Sequence, residues 1–440
     1  MTNDRASHAA LSELGRRTQA PPISWLMDLA LRRARLISLA AGFTDNETLP
    51  VRETRALTAA VLRHRRTGEP ALQYGNTVGL PRLAALTAAR VLEQDAAAGE
   101  GRPPVSRCQP DQLVLTHGSQ QLLYMVTEVL LDPGDIVIVE DPTYFVFLGI
   151  LQSRGVECRG VRLQPDGLDV AQLEGVLDRL KRERRLDRLK LVYLVTYHQN
   201  PTGTTTCFAR KAAVLDLLRF YERPAGHAVY LLEDAAYREL RFRGPDTASA
   251  LAASGGTARV LYAGTYSKPY ATGVRVGFGF LPEPIRTAVI RVKGNQDFGT
   301  SNLLQHLLAQ AIESGQYDRH VRQLRRRYAE KAAWMAGALR RHFPPTVSWA
   351  EPDGGMYFWA RLPGRQRSGP GSRLFQHALE ADVLYVPGGL CYAPDPTRRK
   401  PDHELRLSFG NATRQEIQTG IRRLGEVLRQ CGEKKHNTID

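Results

Sequence analysis

The chain has 440 residues, enough for two or three domains, and 42% of them are hydrophobic, so a sizeable core can be buried. No stretch approaches the roughly 18–20 uncharged apolar residues of a membrane span, and the N-terminus lacks the apolar core of a signal peptide. The five cysteines are scattered and form no Cys-x-x-Cys pair. We therefore expect no metal site, no disulfide framework and a cytoplasmic location.

The formal net charge of +15 is compatible with several classes of partner. The arginines are spread along the chain, without an aromatic-interleaved basic stripe or a helix-turn-helix signature. This distribution favours solvated basic faces, and we expect neither a nucleic acid nor a membrane as partner. An anionic substrate or cofactor attracted by the positive field stays open as an alternative.

The N-terminal part is predicted to be helical after a flexible beginning. Residues 1–20 are polar and predict a flexible arm. An amphipathic segment follows at 24–35 and leads into an extended run that Gly42 interrupts. Apolar residues at helical spacing then predict helices over 51–66 and 79–98.

From about residue 111, short β-branched apolar runs alternate with longer helical segments. This alternation is typical of βαβ units and predicts a mostly parallel, buried sheet. The run at 275–281 follows its predecessor too closely for a crossover helix, so we expect one antiparallel strand. Residues 286–342 are predicted to be helical, with an interruption near 294–302. The remaining third alternates as exposed strands do, which predicts a smaller α+β domain.

Polar side chains that suit a phosphate follow two of the apolar runs. Ser119 and Gln120 open a helix just after a strand, where free N–H groups and a hydroxyl favour anion binding. Thr265 and Ser267 follow another strand, and Arg275 comes soon after them, so these three can complete a phosphate cup. Taken singly, Ser119 also fits a simple helix N-cap.

A second group of residues suits an aromatic heterocycle. Lys268 lies at a strand end in an apolar stretch, where desolvation favours the free amine that forms a Schiff base. Asp234 ends an apolar strand, three residues before Tyr237, and its carboxylate needs a partner such as a protonated pyridine nitrogen. Tyr144 follows a strand and can stack on a flat ring. Asn200 lies in an Asn-Pro-Thr-Gly turn at the end of a strand.

Arg406 adds a candidate substrate ligand near the C-terminus. Its planar guanidinium suits the capture of an α-carboxylate by two hydrogen bonds. Each of these features has an ordinary structural alternative, such as an exposed lysine, a salt bridge, a core tyrosine, a turn or a surface arginine. Their joint occurrence in one chain favours a single active site that acts at the α-carbon of an amino acid.

These residues lie in motifs that resemble the fold-type I enzymes dependent on pyridoxal 5′-phosphate (PLP), specifically the class I and II aminotransferases. The resemblance covers roughly residues 22–430. Within the family it points to the 2-aminoadipate and kynurenine aminotransferases and to the aminotransferase half of MocR-type regulators. The motifs that carry it are ISLAAGFTDNETLP, LQYGNTVGLPRL, LTHGSQQLL, EDPTYF, YHQNPTG, LLEDAAYREL, GTYSKPYATGVRVGF, SGQYDRHVRQLRRRY, GGMYFW and ELRLSFGN.

The resemblance implies an α/β fold of the fold-type I PLP transferases and a role for each candidate residue. The large domain would hold a seven-stranded, mostly parallel sheet flanked by helices, next to a smaller α+β domain. Lys268 would form the internal aldimine and serve as acid and base, and Asp234 would hold the pyridine nitrogen. Tyr237 and Asn200 would hydrogen-bond the phenolic oxygen, while Tyr144 would stack on the ring.

The resemblance also implies how the phosphate and the substrate are bound and how the chain is organised. The phosphate ligands would be Ser119, Gln120, Thr265, Ser267, Arg275 and, from the neighbouring subunit of a homodimer with shared active sites, Tyr74. The substrate carboxylate would be bound by Arg406, Asn200 and the backbone near Gly42. The implied segments are an arm at 1–20, a segment at 21–50 that joins the small domain, a PLP-binding domain at 51–310, a small domain at 311–432 and a frayed tail at 433–440.

The reaction itself is open to more than one interpretation. The first is an aminotransferase that converts an amino acid and a 2-oxo acid by a ping-pong mechanism. The second is a PLP-dependent synthase or lyase on the same scaffold, which would eliminate, replace or cyclise. The third is a PLP-sensing regulator, but such proteins carry a DNA-binding domain ahead of this half, whereas only about 20 residues precede it here. Ala41-Gly42 and Thr265-Tyr266 depart from the family's usual residues and bear on substrate preference.

Overall fold

The computed structural model of the protein describes residues 10–33, 35–98, 108–364 and 366–433. Residues 1–9 of the predicted arm and 434–440 of the predicted tail lie outside the described residues. Among the residues that are described, no helix is long and apolar enough to span a membrane.

The rest of the predicted arm contains a short helix, α1 (Glu13–Arg17). The side chain of Ser12 accepts a hydrogen bond from the N–H of Gly15, which satisfies one of the free donors at the helix start. Gln152 Nε2 donates to Arg17 O at 2.6 Å and ties the segment to the large domain. A helix cap and a docking contact therefore hold the described part of this segment.

Helices and one short strand make up the N-terminal third. They are α2 (Pro22–Arg32), β1 (Ile37–Ser38), α3 (Val51–Val61), α4 (Arg65–Leu72) and α5 (Pro81–Ala97). The single helix predicted over 51–66 is two helices, because His64 takes up extended backbone and starts α4. The helix predicted over 79–98 is present as α5.

The central part of the chain alternates strands with helices, as its apolar runs predict. Its elements are β2 (Leu113–Thr116), α6 (Gly118–Leu130), β3 (Ile136–Asp141), α7 (Phe145–Arg154), β4 (Glu157–Gln164), β5 (Gly167–Leu168), α8 (Val170–Arg182), β6 (Leu189–Val195), α9 (Phe208–Ala225), β7 (Tyr230–Asp234), α10 (Ala250–Ser254), β8 (Val260–Thr265), β9 (Gly277–Phe280), α11 (Ile285–Gln296) and α12 (Asn302–Glu313).

These strands form one sheet in the order β2-β9-β8-β7-β6-β3-β4-β5. The pairs from β8 through β7, β6 and β3 to β4 are parallel, whereas β9 is antiparallel to both of its neighbours. The predictions of a mostly parallel sheet and of an antiparallel strand at 275–281 are therefore confirmed. The sheet has eight strands instead of seven, because the two-residue β5 folds back antiparallel on β4.

The sheet is buried on both faces. Val137 and Val139 of β3 pack into one apolar cluster, and Ile136 and Ile138 of the same strand pack into the other. Successive side chains of a strand point to opposite faces, so a strand made only of apolar residues contributes side chains to both hydrophobic cores. Carboxyl ends of parallel strands meet at one edge of a sheet, and β3, β6, β7 and β8 all end at the edge that carries the candidate site.

Strand β4 is not among the apolar runs of the sequence. Its residues ECRGVRLQ include three charged side chains, so it does not have the pattern of a buried strand. In the structure Arg159 is 5% exposed and pairs with Glu157 and Asp395. Ion pairing within the strand and with Asp395, which is distant in sequence, therefore lets this strand lie inside the fold.

The C-terminal third forms the smaller α+β domain. Its elements are α13 (Gln316–His342), β10 (Ser348–Trp349), β11 (Tyr357–Arg361), α14 (Arg373–Glu380), β12 (Val383–Leu384), β13 (Val386–Pro387), β14 (Glu404–Ser408) and α15 (Arg414–Glu433). Four strands pair antiparallel in the order β10-β11-β14-β13. Strand β1 pairs in parallel with β12, which ties the N-terminal segment to this domain.

The prediction that the C-terminal strands are exposed is wrong for β12, β13 and β14, whereas β10 is exposed or half-buried as predicted. All five residues of β14 are buried, and so are β12 and β13. Their apolar residues share a core with Met335 of α13 and Ile421 and Leu424 of α15, because the helices cover one face of the small sheet. The polar positions of β14 are buried as well, and one of them is Arg406.

Candidate active site

A cavity of about 470 Å³ lies at the carboxyl edge of the large sheet, against the small domain. It is lined by every residue predicted for the site except Tyr74. These residues are Gly42, Ser119, Gln120, Tyr144, Asn200, Asp234, Tyr237, Thr265, Ser267, Lys268, Arg275 and Arg406. The structure therefore gathers side chains from distant parts of the sequence around one space.

Lys268 follows β8 and projects its amine into this cavity. Its Nζ donates a hydrogen bond to Gly42 O at 2.8 Å. Burial lowers the pKa of the Lys268 ammonium below its ordinary value, because a charged group is costly to desolvate. A Cβ added at Gly42 would lie 2.9 Å from Tyr357 Oη, closer than a side chain normally allows, so glycine lets the backbone approach this hydroxyl beside Lys268.

Asp234 ends β7 as a buried carboxylate facing the same cavity. Tyr193 donates its hydroxyl proton to Oδ2 at 2.8 Å, and the N–H of Ala236 donates to Oδ1 at 3.1 Å. Burial raises the pKa of Asp234 to about 6, and the hydrogen bond from Tyr193 only partly offsets this effect. The charge of Lys268 also lowers the pKa of Asp234, but less than burial raises it, so the negative charge of Asp234 would be stabilised further by a cationic ligand.

Asn200 links the ring-facing residues to the candidate carboxylate ligand. Its Nδ2 donates to Tyr237 Oη at 3.5 Å, and its Oδ1 accepts from Arg406 Nη1 at 2.7 Å. The hydroxyls of Tyr237 and Tyr357 lie 3.1 Å apart. Because both ends of the Asn200 amide have partners, its orientation is fixed, with its donor towards Tyr237 and its acceptor towards Arg406.

Arg406 is 2% exposed and is held by hydrogen bonds and by two aromatic rings. Its Nη2 donates to Ala40 O at 2.6 Å, and its guanidinium lies 4.3 Å from the centroid of the Tyr357 ring and 5.5 Å from that of Phe145. Nε has no hydrogen-bond partner among the described residues. A buried guanidinium with donors to spare is an unsatisfied cation, which an incoming carboxylate would satisfy.

The opposite end of the cavity has the donors that bind a phosphate. Helix α6 starts at Gly118, so the free N–H groups of its first turn and the side chains of Ser119 and Gln120 face the same space. Arg275 has φ of 49°, a left-handed conformation that turns its side chain back, and its Nη1 donates to Ser267 Oγ at 3.2 Å. A Cβ on Gly277 would lie 2.4 Å from the backbone of Gly118 and Ser119, so only glycine lets β9 support this turn.

The remaining predicted residues shape the same cavity. Thr265 Oγ1 accepts the N–H of Ser267 at 3.1 Å and donates to Val276 O at 3.3 Å, so it shapes the turn that carries Ser267. Tyr144 immediately precedes α7, and its hydroxyl donates to Gln120 Oε1 at 3.4 Å. An aromatic ring anchored at its hydroxyl keeps its face available for stacking.

This set of residues fits each part of PLP. The turn at Gly118 with Arg275 suits a dianionic phosphate, and the unpaired carboxylate of Asp234 suits a protonated pyridine nitrogen. Tyr237 and Asn200 suit a phenolic oxygen, and a desolvated amine at Lys268 suits an aldehyde. The fit rests on charges that the fold leaves unsatisfied, and each of them has its counterpart on one face or edge of the cofactor.

Comparison with known proteins identifies the family. Residues 34–424 match the model of the family described as aminotransferase class I and II. The chain belongs to this family. The 2-aminoadipate transaminase of Thermus thermophilus is 33% identical over 416 residues, which cover 94% of this chain and 95% of that protein.

Solved structures of aminotransferases superpose over nearly the whole chain. One is the kynurenine aminotransferase of Pyrococcus horikoshii, in complex with PMP, KYN and KYA, with a TM-score of 0.85, 28% identity, and 96% and 98% of the two chains covered. Another is the α-aminoadipate aminotransferase of Thermus thermophilus bound to N-(5′-phosphopyridoxyl)-L-leucine, with a TM-score of 0.80, 31% identity, and 96% and 98% coverage.

The protein is therefore a PLP-dependent aminotransferase of fold type I. The predictions of family, fold type, transferase activity and cofactor are confirmed. Of the alternatives that the sequence left open, these relatives favour transamination over a synthase or lyase.

Tyr74 does not take part in the cavity of its own chain. It is 82% exposed and lies against Phe298, itself 61% exposed, with ring centroids 5.2 Å apart. The two rings belong to a separate groove that also includes Leu72 and Asn302. Its predicted contact with a phosphate is therefore not made within one subunit.

The aminotransferase site also contains residues that the sequence did not indicate. Tyr357 lies in the motif GGMYFW, for which the sequence predicts no role at this residue, yet its ring and hydroxyl contact Arg406 and Tyr237. Ile23 and Met27 of α2 line the cavity as well. The helical spacing of apolar residues in this amphipathic segment predicts that such residues share one face. It does not predict which part of the protein that face covers.

Replacing Asp234 with asparagine is expected to stabilise the cofactor-free protein at neutral pH. The folded pKa of about 6 lies above the ordinary 3.8, so the folded state binds the proton more tightly than the unfolded state does. The free energy of unfolding therefore falls as pH rises from about 4 to about 6, by about 3 kcal/mol for a shift of about two units. Urea unfolding of both apoproteins at pH 4 and pH 8 measures this, and parallel pH profiles would contradict it.

Proposed function

We propose that this aminotransferase transfers the amino group of an amino acid with an uncharged side chain, with Lys268 as its catalytic base. The observation that carries the proposal is the geometry of one cavity, which holds a desolvated lysine amine, an unpaired carboxylate and an unsatisfied guanidinium. When bound at Lys268, PLP withdraws electrons from the substrate α-carbon and stores the amino group between two half-reactions.

Lys268 is the residue proposed to move the proton. Its lowered pKa leaves more of the amine unprotonated at neutral pH, and a free amine can accept the proton from the substrate α-carbon. The carbonyl oxygen of Gly42, 2.8 Å from Nζ, aims the amine and accepts its hydrogen. Like burial, the positive charges of Arg406 and Arg275 lower the pKa of Lys268, whereas Tyr357 and Asp234 raise it.

Binding of the cofactor is proposed to divide between the two ends of the cavity. Asp234 at the end of β7 would hold the pyridine nitrogen, and Tyr237 and Asn200 would hydrogen-bond the phenolic oxygen. Tyr144 covers one face of the ring. The residues proposed to bind the phosphate within the subunit are Ser119, Gln120, Thr265, Ser267 and Arg275.

Arg406 is proposed to bind the α-carboxylate of the substrate. Of its five N–H donors, two are used by Asn200 and Ala40, and those that remain can form the paired hydrogen bonds that a carboxylate needs. Asn200 is held by both Arg406 and Tyr237, so it couples capture of the carboxylate to the position of the ring. The backbone near Gly42 closes the same side of the cavity.

The preference for an uncharged substrate side chain is inferred from the cavity residues that have no role in binding the cofactor or the α-carboxylate. Among the described residues of the cavity the cationic side chains are Lys268, Arg275 and Arg406, and each already has a proposed partner. The rest of the lining is mostly apolar and includes Ile23, Met27 and Phe43. An aliphatic or aromatic side chain gains from burial against such a surface, whereas a second carboxylate would be desolvated without a partner.

A homodimer is proposed as the working unit in the cytoplasm. Exposed apolar side chains at Leu72, Tyr74 and Phe298 form a patch that a second subunit would bury, and Tyr74 could then reach the partner's phosphate site. Full activity of a monomer in sedimentation at working concentration would contradict this proposal. The cytoplasmic location is proposed from the scattered cysteines of the sequence, a usage typical of reducing compartments.

A panel of amino donors tests the proposed function. Purified enzyme is mixed in single turnover with leucine, methionine, phenylalanine, glutamate and 2-aminoadipate, and conversion of the cofactor to its amine form is followed by absorbance. We expect kcat/KM to be at least about tenfold higher for the uncharged donors, because a carboxylate left unpaired in the cavity costs more than about 1.4 kcal/mol. Preference for either dicarboxylate would refute the proposed substrate class, and new products without cofactor conversion would refute transamination.

A further inference from the structure

Glu140 is a fully buried carboxylate at the end of β3 that does not line the cavity. Its Oε2 accepts two hydrogen bonds, from the N–H of Val195 at 2.9 Å and from Gln199 Nε2 at 3.1 Å. Its Oε1 has no hydrogen-bond partner among the described residues. A carboxylate with two donors on one oxygen and an unpaired second oxygen is costly in a protein interior, so its retention there calls for a role.

Gln199 links Glu140 to two loops by hydrogen bonds. Its Nε2 also donates to Pro142 O at 2.7 Å, in the turn after β3. Its Oε1 accepts from the N–H of Thr202 at 2.9 Å and from the Thr202 hydroxyl at 2.7 Å, in the turn after β6. The amide is therefore bonded at both ends, and Glu140 fixes which end faces β3.

The two loops carry two of the residues that face the cofactor ring. Asn200 follows Gln199 directly, and Tyr144 lies two residues after Pro142. Both side chains line the cavity, whereas Gln199 and Glu140 lie behind them. A shift of the Gln199 amide would therefore displace the ring-facing residues from two directions at once.

We propose that Glu140 is a positioning residue that acts through Gln199 to place Asn200 and Tyr144 against the PLP ring, and that it does so as an uncharged hydrogen-bond acceptor. The inference rests on the ring-facing roles proposed above for Asn200 and Tyr144. The proposal extends the active site to a residue that touches neither cofactor nor substrate. It also explains why the carboxyl group of Glu140 is buried.

The surroundings of Glu140 favour its neutral form. Burial raises the pKa of Glu140 to about 8; the hydrogen bonds from Val195 and Gln199 oppose this effect, and the negative charge of Asp234 on β7 adds to it. Tyr193 of β6 also faces this region and is hydrogen-bonded to Asp234. A proton on the unpaired Oε1 removes the repulsion between two buried carboxylates, so that Asp234 alone holds the negative charge for the cofactor.

Substitution with glutamine separates hydrogen bonding from charge. In Glu140→Gln the amide oxygen can accept from Val195 and Gln199, and the NH2 group takes the place of the protonated oxygen. Glu140→Ala removes the acceptor, and Gln199→Met removes the link while keeping side-chain length. Thr143→Val is the matched control, since Thr143 is buried in the same turn and its hydroxyl lacks a hydrogen-bond partner among the described residues.

The readouts are the Kd for PLP, the pH titration of the bound cofactor's absorbance and the Tm of each apoprotein. We expect Glu140→Gln and Thr143→Val to stay within about twofold of wild type in Kd. Glu140→Ala and Gln199→Met are expected to weaken PLP binding about tenfold, the size of losing one or two buried hydrogen bonds, and to shift the titration. If Glu140→Ala does not fold, Gln199→Met carries the same expectation.

Three results would overturn the inference. A Glu140→Gln variant as impaired as Glu140→Ala would mean that the charge is what matters. Wild-type Kd and titration in both Glu140→Ala and Gln199→Met would mean that the link has no role at the ring. A lowered Tm with unchanged Kd and titration would reduce Glu140 to a structural residue. In each case wild-type activity on the donor panel leaves the proposed function intact, so the two failures are distinguishable.

Discussion

Replacing Lys268 with alanine is expected to lower the rate of transamination by roughly 10⁴-fold or more, because the variant loses both the amine that binds the cofactor and the base that takes the α-proton. Among the described residues that line the cavity, Lys268 is the only lysine. Its pKa is lowered by burial, so the amine is reactive in a way that an exposed lysine is not. No neighbouring side chain of the cavity can replace it.

Borohydride reduction followed by peptide mapping checks this expectation independently of activity. Wild-type enzyme incubated with PLP should carry the reduced cofactor on the peptide that contains Lys268, and Lys268→Ala should carry none. Lys190→Ala is a suitable control, because Lys190 lies at the amino end of β6, far from the site's edge of the sheet, and bonds to Asp187 O. Labelling of any other lysine in the wild type would refute the assignment of the cofactor site.

The residues at strand ends are predictable from the sequence because of where they occur. Asp234 and Lys268 each follow an apolar run that can only be a buried strand, and the carboxyl ends of parallel strands meet at one edge. Asn200 is predictable for the same reason. A charged side chain at the end of such a run is costly to bury without a ligand or a partner, so the joint occurrence of several such side chains indicates one site.

Other residues of the site could not be found in this way, because their positions depend on the packing of the two domains. Tyr357 starts a strand of the small domain, and its contact with Arg406 exists only because β11 and β14 pair there. Tyr193 lies inside β6 and has the pattern of an ordinary core residue, although its hydroxyl is bonded to Asp234. Glu140 likewise looks like the end of a strand, since its partner Gln199 is 59 residues away in sequence.

The fold shows the same division between local pattern and distant contact. The parallel sheet and the antiparallel β9 follow from run length and spacing, which are local. Strand β4 could not be predicted from hydrophobicity, because its buried Arg159 is paired with Asp395, which lies far along the chain. The small-domain strands alternate as exposed strands do, yet α13 and α15 cover them. Alternation reveals which side chains share a face but not what lies against that face.

Replacing Arg406 with lysine is expected to lower kcat/KM for amino donors roughly 30- to 1000-fold, although the charge is kept. This corresponds to a loss of about 2–4 kcal/mol of transition-state stabilisation. The guanidinium uses two donors on Asn200 and Ala40 and still has others for the substrate carboxylate. A lysine ammonium has three donors at one point and cannot reproduce the planar fork. Arg361→Lys is the matched control, since Arg361 lies on β11 of the same sheet and its side chain is 62% exposed.

The absorbance of the bound cofactor and the salt dependence of kcat/KM distinguish this role from a general effect of positive charge. Arg406 is not proposed to hold PLP, so the spectrum of the Arg406→Lys holoenzyme should match that of the wild type. If the net charge of +15 instead recruits a polyanionic substrate, wild-type kcat/KM should fall steeply with added salt, since screening acts on long-range attraction. A buried guanidinium that binds one carboxylate directly is screened much less, so we expect a nearly flat profile with a large Arg406→Lys defect. A steep profile together with a small defect would refute the assignment of Arg406.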